Sequence, residues 1–144
     1  MLFGQRPLIR VLVVDDHELT RFSLKLALDC HQQITLVGLA SNGQEAIEMA
    51  EHHRPDVIIL DLQMPVMDGI TASTHIKAIE PKTQIIAYSS IDDCQIDVMN
   101  QTARVDAFCK KDTPTQDLIK LVEQLGEPKH DCWEGAEPKV YSTL

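Results

Sequence analysis

Residues 56–69 read DVIILDLQMPVMDG, and the first six of them decide the fold. Val57, Ile58, Ile59 and Leu60 are aliphatic in succession, with no polar position to face water. That is the pattern of a strand covered on both faces of a parallel sheet. The run then stops at an acid, Asp61. The same arrangement recurs on either side: apolar runs of strand length lie at 9–14, 34–40, 85–88 and, more weakly, 105–109. The first is followed by Asp15 and Asp16, the fourth by Ser89 and Ser90, and the fifth by Lys110 and Lys111. Between the runs, Leu19, Phe22, Leu26 and Cys30 recur at helical spacing, as do Ala46, Ile47 and Ala50, and Leu118, Leu121, Val122 and Leu125. Two helix starts carry capping-box patterns: Asn42 with Glu45 three residues on, and Thr113 with Gln116 three on and Pro114 at the first helical position. Strand and helix alternate five times. This order predicts an α/β fold, a doubly wound five-stranded parallel sheet with five helices, whose ligands lie beyond the carboxyl ends of the strands.

Composition narrows what those ends can do. A chain of 144 residues, 44% of them hydrophobic, can bury a single core without a metal or a disulfide framework. With 13 Lys plus Arg against 22 Asp plus Glu, the formal charge of −9 repels phosphate backbones and anionic lipid, so neither direct nucleic-acid binding nor a membrane surface is expected. The 4% aromatic content also lacks the stacking platforms of single-strand binders. Cys30, Cys94, Cys109 and Cys132 are far apart and form no C-x-x-C pair, which suits a reduced, cytoplasmic protein. The apolar stretch near the start is too short for a secretory or membrane segment. From Gly126 the periodicity stops. The expected organisation is an N-terminal extension at 1–7, a globular domain at 8–125 and an irregular tail at 126–144.

On one rim of the inferred sheet, three carboxylates (Asp15, Asp16 and Asp61), a hydroxyl (Ser89) and an ammonium (Lys111) converge. Taken singly, each has a plain structural reading: an acidic pair before a helix is usually a cap, and a strand-end Asp a turn residue. Their coincidence on one edge points to chemistry. Three neighbouring acids repel one another unless a cation shares the site, and Mg²⁺ takes carboxylate oxygens while leaving positions for a phosphate. An Asp carboxylate can be the nucleophile that becomes an aspartyl phosphate, with Mg²⁺ and an ammonium offsetting the charge on the transferring oxygens.

The segments VLVVDDHELTR, DVIILDLQMPVMDG, IIAYSS and AFCKKD together resemble the receiver domain of bacterial two-component response regulators, over residues 8 to about 125. The DDHELTR opening and the K-D ending look like the NarL/FixJ branch. The resemblance implies a flavodoxin-like, receiver-like fold with Asp61 as phosphoacceptor. It also implies Mg²⁺ held by Asp16 and Asp61, by the backbone carbonyl of Gln63, and by Asp15 mostly through water. Ser89 resembles the switch hydroxyl, Phe108 the aromatic that follows it inward, and Lys111 the phosphate-pairing lysine. By resemblance the chain is a phosphoacceptor, with weak self-dephosphorylation, rather than an enzyme. Its phosphoryl donor is a sensor histidine kinase or a phosphotransfer protein. Its output, to an unidentified protein or through a homodimer, leaves from the face of the fourth helix, fifth strand and fifth helix. NarL/FixJ members usually carry a helix-turn-helix domain, and the nineteen residues after Leu125 are too few for one. Two readings follow: a stand-alone switch acting through protein contacts, or a receiver fragment of a DNA-binding transcriptional response regulator.

Overall fold

Parallel pairing joins β1 (Ile9–Val14) to β2 (Ile34–Ala40) on one side and to β3 (Val57–Leu60) on the other, then continues through β4 (Gln84–Ser89) and β5 (Ala107–Lys110). This is the arrangement in a computed structural model that describes residues 8–64, 67–90, 104–127 and 139–140. Helices α1 (Glu18–Asp29), α2 (Gly43–His53) and α3 (Gly69–Ile79) follow the first three strands, and α4 (Thr115–Gly126) follows β5. The helix expected between β4 and β5 falls on 91–103, outside the described residues, as does the extension at 1–7.

The five expected strands are all present, and a sixth joins them. β6 (Lys139–Val140) lies parallel to β5, with Ala107 opposite Lys139 and Phe108 opposite Val140, so the sheet order is β2-β1-β3-β4-β5-β6. The tail therefore departs from the irregular reading at these two residues. A two-residue strand leaves no periodic trace in sequence. β2 carries a further irregularity: Val11 pairs with Leu36 but Leu12 with Gly38, so Val37 is an extra residue bulged out of register.

Strand alternation sends successive side chains to two cores. Val11 and Val13, Val57 and Ile59, and Ala107 and Cys109 face a layer filled by α1 and α4. Leu12 and Val14, Ile58 and Leu60, and Phe108 face the opposite layer with α2 and α3. All four residues of β3 are fully buried, as an unbroken aliphatic run requires. Helix α2 begins as its sequence dictates, with the Asn42 side chain accepting from the Glu45 amide at 2.9 Å. The Glu45 carboxylate in turn accepts from the Ser41 amide at 2.9 Å and from the Ser41 hydroxyl. These bonds from Ser41 hold the Glu45 carboxyl below its ordinary range.

Two expectations about the helices change. Pro114 is the N-cap of α4 rather than its first helical residue, because its ψ of 139° is extended; its carbonyl accepts from Asp117 at 2.9 Å, and no side chain caps the helix. On α1 the buried residues are Leu24 and Leu28, whereas Leu19, Phe22 and Leu26 face solvent.

Candidate functional site

The sheet register itself builds the site. Val14 and Leu60 are paired neighbours at the ends of β1 and β3. The next residues are held by continuing backbone bonds, Asp15 N–H to the Ala40 carbonyl at 3.0 Å and Asp61 N–H to the Val14 carbonyl at 2.9 Å. Two carboxylates thus emerge abreast at the carboxyl edge. Both are almost fully enclosed, Asp15 at 1% and Asp61 at 3% exposure. Lys111 reaches them from the end of β5, where its amide donates to the Ser89 carbonyl at 2.9 Å. Its Nζ lies 2.8 Å from Asp15 Oδ2 and 3.3 Å from Asp61 Oδ2, and 5.9 Å from the centre of the Tyr88 ring.

One ammonium does not balance the acids. Burial pushes the Asp61 carboxyl above its ordinary range and the Asp15 charge adds to the effect, while the Gln63 amide and Lys111 oppose it without cancelling it. Burial works against the Lys111 ammonium too, but the Asp15 hydrogen bond and the charges of Asp61 and Asp15 outweigh it, so Lys111 is held above the usual lysine range. Asp15, Asp16, His17 and Asp61 each offer one ligand atom, and these atoms lie within 4.8 Å of one another. Three carboxylate oxygens facing a single ammonium form a hard, electron-rich donor set of the kind Mg²⁺ takes, unlike the thiolates that select softer metals.

Gln63, Ser89 and Phe108, the other expected site residues, occupy the following places. Gln63 donates its amide to Asp61 Oδ1 at 3.0 Å, closing a turn that fixes one face of the carboxylate. Ser89 is buried at the end of β4, opposite Lys110 in the sheet register. Phe108 is buried in the α2–α3 layer, paired with Ala87. Lys111, not Lys110, approaches the acids, because side chains on a strand alternate and the residue after β5 turns toward β1.

Two contributors escaped the sequence reading. His17 Nδ1 lies 3.2 Å from Asp15 Oδ1 and 3.1 Å from Asp16 Oδ1, and the Arg21 guanidinium donates to the Asp15 backbone carbonyl at 2.6 Å. The signal for His17 is its adjacency to the acidic pair; that for Arg21 is its place one helical turn further along α1.

The loop after Asp61 is pinned by close backbone approaches. Gly69 N–H donates to the Leu62 carbonyl at 3.1 Å, and Gly43 N–H to the Met67 carbonyl at 3.2 Å. A Cβ on Gly69 would fall against the Asp61 carbonyl and 2.6 Å from Leu62 Cα; one on Gly43 would lie 2.6 Å from the Met67 carbonyl oxygen. Absence of a side chain is a condition of this loop's path.

Residues 11–123 match the family model of the response regulator receiver domain. The chain is 32% identical over 135 residues to the nitrate/nitrite response regulator protein NarL of Escherichia coli, covering 93% of this chain and 62% of that protein. It is 36% identical over 117 residues to the response regulator protein VraR of Staphylococcus aureus, covering 81% and 56%. The chain thus spans less than two thirds of the length of these relatives. Among solved structures, the signal receiver domain of the response regulator NarL from Mycobacterium tuberculosis superposes with a TM-score of 0.78 at 30% identity, covering 84% of this chain and 98% of that one.

Proposed function

The chain belongs to the response regulator receiver family, and on that premise we propose that it is a phosphorylation switch whose phosphoacceptor is Asp61. The observation that carries this reading is the pair of buried carboxylates, Asp15 and Asp61, bridged by one ammonium. Residues 8–125 form the receiver unit, flanked by the extension at 1–7 and the tail at 126–144. The donor is a sensor histidine kinase or phosphotransfer protein, whose phosphorus–nitrogen bond breaks as an Asp61 oxygen bonds to phosphorus. Gln63 N–H and Lys111 fix the attacking carboxylate from two sides. Asp15, Asp16, Asp61 and the Gln63 carbonyl would hold Mg²⁺, which supplies positive charge to the transferring oxygens when bound. Lys111 then pairs with the phosphoryl group, Ser89 turns toward it, and Phe108 follows, shifting the balance between two states of the β5–α4 face. Water slowly cleaves the aspartyl phosphate, so the switch resets itself weakly. In this reading the protein works in the cytoplasm and contacts an output protein; among the described residues no helix is long and apolar enough to cross a membrane.

Intact-mass measurement after incubation with acetyl phosphate tests the proposal. One added phosphoryl group is expected with Mg²⁺ present and almost none with excess chelator. Labelling that is indifferent to chelation would remove the metal from the mechanism.

The two lysines provide a second check. Lys111→Ala strips Asp15 and Asp61 of their counter-ion, and breaking a buried pair this way typically costs about 3–5 kcal/mol. Metal-free thermal unfolding should show a marked drop for Lys111→Ala and a much smaller one for Lys110→Ala, and phosphodonor labelling should follow the same order. The reverse order would assign the wrong lysine to the site.

A second reading is supported by the lengths of the relatives: the chain as the receiver portion of a longer, DNA-binding transcriptional regulator. The mass of the protein purified from its native source separates the two.

A further inference from the structure

His17 stands at the open side of the acid cluster, its side chain 68% exposed where that of Asp15 beside it is 1% exposed. Its backbone leaves it little freedom. The amide donates to Asp15 Oδ1 at 2.8 Å, and the carbonyl accepts from the Arg21 amide at 3.1 Å. The imidazole is not spent on the helix: His17 occupies the N-cap position of α1, yet its side chain caps no amide. Instead Nδ1 lies 3.2 Å from Asp15 Oδ1 and 3.1 Å from Asp16 Oδ1.

Asp16 Oδ1 is shut off from solvent and has no hydrogen-bond partner among the described residues, since Nδ1 is near it without being aligned on it. A buried carboxylate oxygen without a donor is costly, and a cation at the cluster relieves it. With its hydrogen on Nε2, the imidazole presents a lone pair at Nδ1 to that same cation. One nitrogen of His17 and one oxygen each from Asp15, Asp16 and Asp61 lie within 4.8 Å of one another. Small side-chain adjustments would bring them onto one ion with bonds of about 2.0–2.2 Å.

Donor type then decides which ion gains. Mg²⁺ takes oxygen and keeps its water, so an imidazole adds almost nothing to its binding. First-row transition ions take imidazole nitrogen well, increasingly from Mn²⁺ through Co²⁺ to Ni²⁺.

We propose that His17 makes the acid cluster a mixed oxygen–nitrogen site that binds first-row transition cations such as Co²⁺ and Ni²⁺ in preference to Mg²⁺, with Nδ1 as the selecting ligand. The inference rests on the reading of the acid cluster as the metal centre of the switch, and adds which cations compete for it.

Isothermal titration of the full chain near neutral pH, with Mg²⁺ alone and with Co²⁺ alone, tests it on wild type, His17→Gln and His52→Gln. Wild type should bind Co²⁺ more tightly than Mg²⁺. His17→Gln should lose about ten-fold or more in Co²⁺ affinity, while its Mg²⁺ affinity stays within about two-fold of wild type. His52→Gln, which alters an exposed histidine on α2, should change neither. Proton NMR of the Co²⁺-loaded wild type should show a hyperfine-shifted, exchangeable resonance from the hydrogen on His17 Nε2, and His17→Gln should lack it. Thermal unfolding of metal-free His17→Gln should match wild type, because the amide bond to Asp15 survives and no side-chain cap is lost. Co²⁺ affinity indifferent to His17, a fall shared equally by Mg²⁺, or a Co²⁺ signal that disappears with His52 would overturn the proposal. The Mg²⁺ arm separates this from the assignment of function. Wild type that binds Co²⁺ through His17 but takes up no Mg²⁺ would remove Mg²⁺ from the switch and leave the selecting role of His17 standing; Mg²⁺ binding with Co²⁺ indifferent to His17 would do the reverse.

Discussion

Asp61→Asn is expected to abolish phosphorylation completely and to leave the protein folded. The amide keeps the size and shape of the carboxyl at the end of β3 but has no anionic oxygen to attack phosphorus. Intact-mass analysis after phosphodonor treatment should show an added phosphoryl group on wild type and none on the variant; equal labelling of both would place the acceptor elsewhere. The same substitution should not cost stability at neutral pH. The folded Asp61 carboxyl is held above its ordinary range by burial and then by the Asp15 charge. A carboxyl raised in this way favours the folded state at pH below its unfolded value, and that benefit disappears as pH rises through the folded value. At neutral pH the ionised group is a net burden, so the melting temperature of Asp61→Asn in metal-free buffer should equal or exceed that of wild type.

Gly69→Ala should be strongly damaging for so conservative a change. The added methyl would meet the Asp61 carbonyl and the Leu62 Cα, both of them backbone, so no side chain can rotate away to make room. Either α3 shifts outward, breaking the Gly69–Leu62 hydrogen bond and loosening the Ala72 and Ile76 contacts of its buried face, or Asp61 itself is displaced. Overpacking without an escape route costs typically about 3 kcal/mol, corresponding to a fall in melting temperature of roughly 10 °C for a domain of this size. Phosphodonor labelling should fall with it, because the acceptor's own backbone is what the methyl strikes. A variant that melts with wild type would mean that the loop has slack the packing does not reveal.

Much of this was legible in the sequence because a parallel sheet writes itself plainly. Strands buried on both faces are uniformly apolar, their ends are marked by the first polar residue, and the right-handed crossover rule brings those ends to one edge. That logic located Asp15, Asp61 and Lys111, which the structure brings within ion-pair distance. It failed on α1, and for a definite reason. Leu19, Phe22 and Leu26 form one apolar series at helical spacing and Leu24 and Leu28 another, and spacing alone does not say which of them faces the sheet. That choice is made by the direction in which the chain leaves β1, where Asp15 and His17 fix the first turn through a 2.8 Å bond from the His17 amide to the Asp15 carboxylate. Arg21 escaped notice because its place one turn along α1 gives its position, but its partner is a backbone carbonyl, which side-chain spacing does not mark. Lys139 and Val140 escaped because strand pairing at the end of a sheet needs only backbone.

The two margins of the sheet have a consequence for how the protein behaves in a crowded solution. β2 is a seven-residue strand, ITLVGLA, with neither charge nor proline, and a flat row of its outward amides and carbonyls would recruit an extended segment from another molecule. The extra residue at Val37 breaks that row after Leu36 and increases the local twist, so an incoming strand finds matching register for only a few residues. At the opposite margin Lys139 and Val140 already lie along Ala107 and Phe108. The sheet is thereby kept from growing sideways into aggregates, by a bulge at one end and by the chain's own tail at the other.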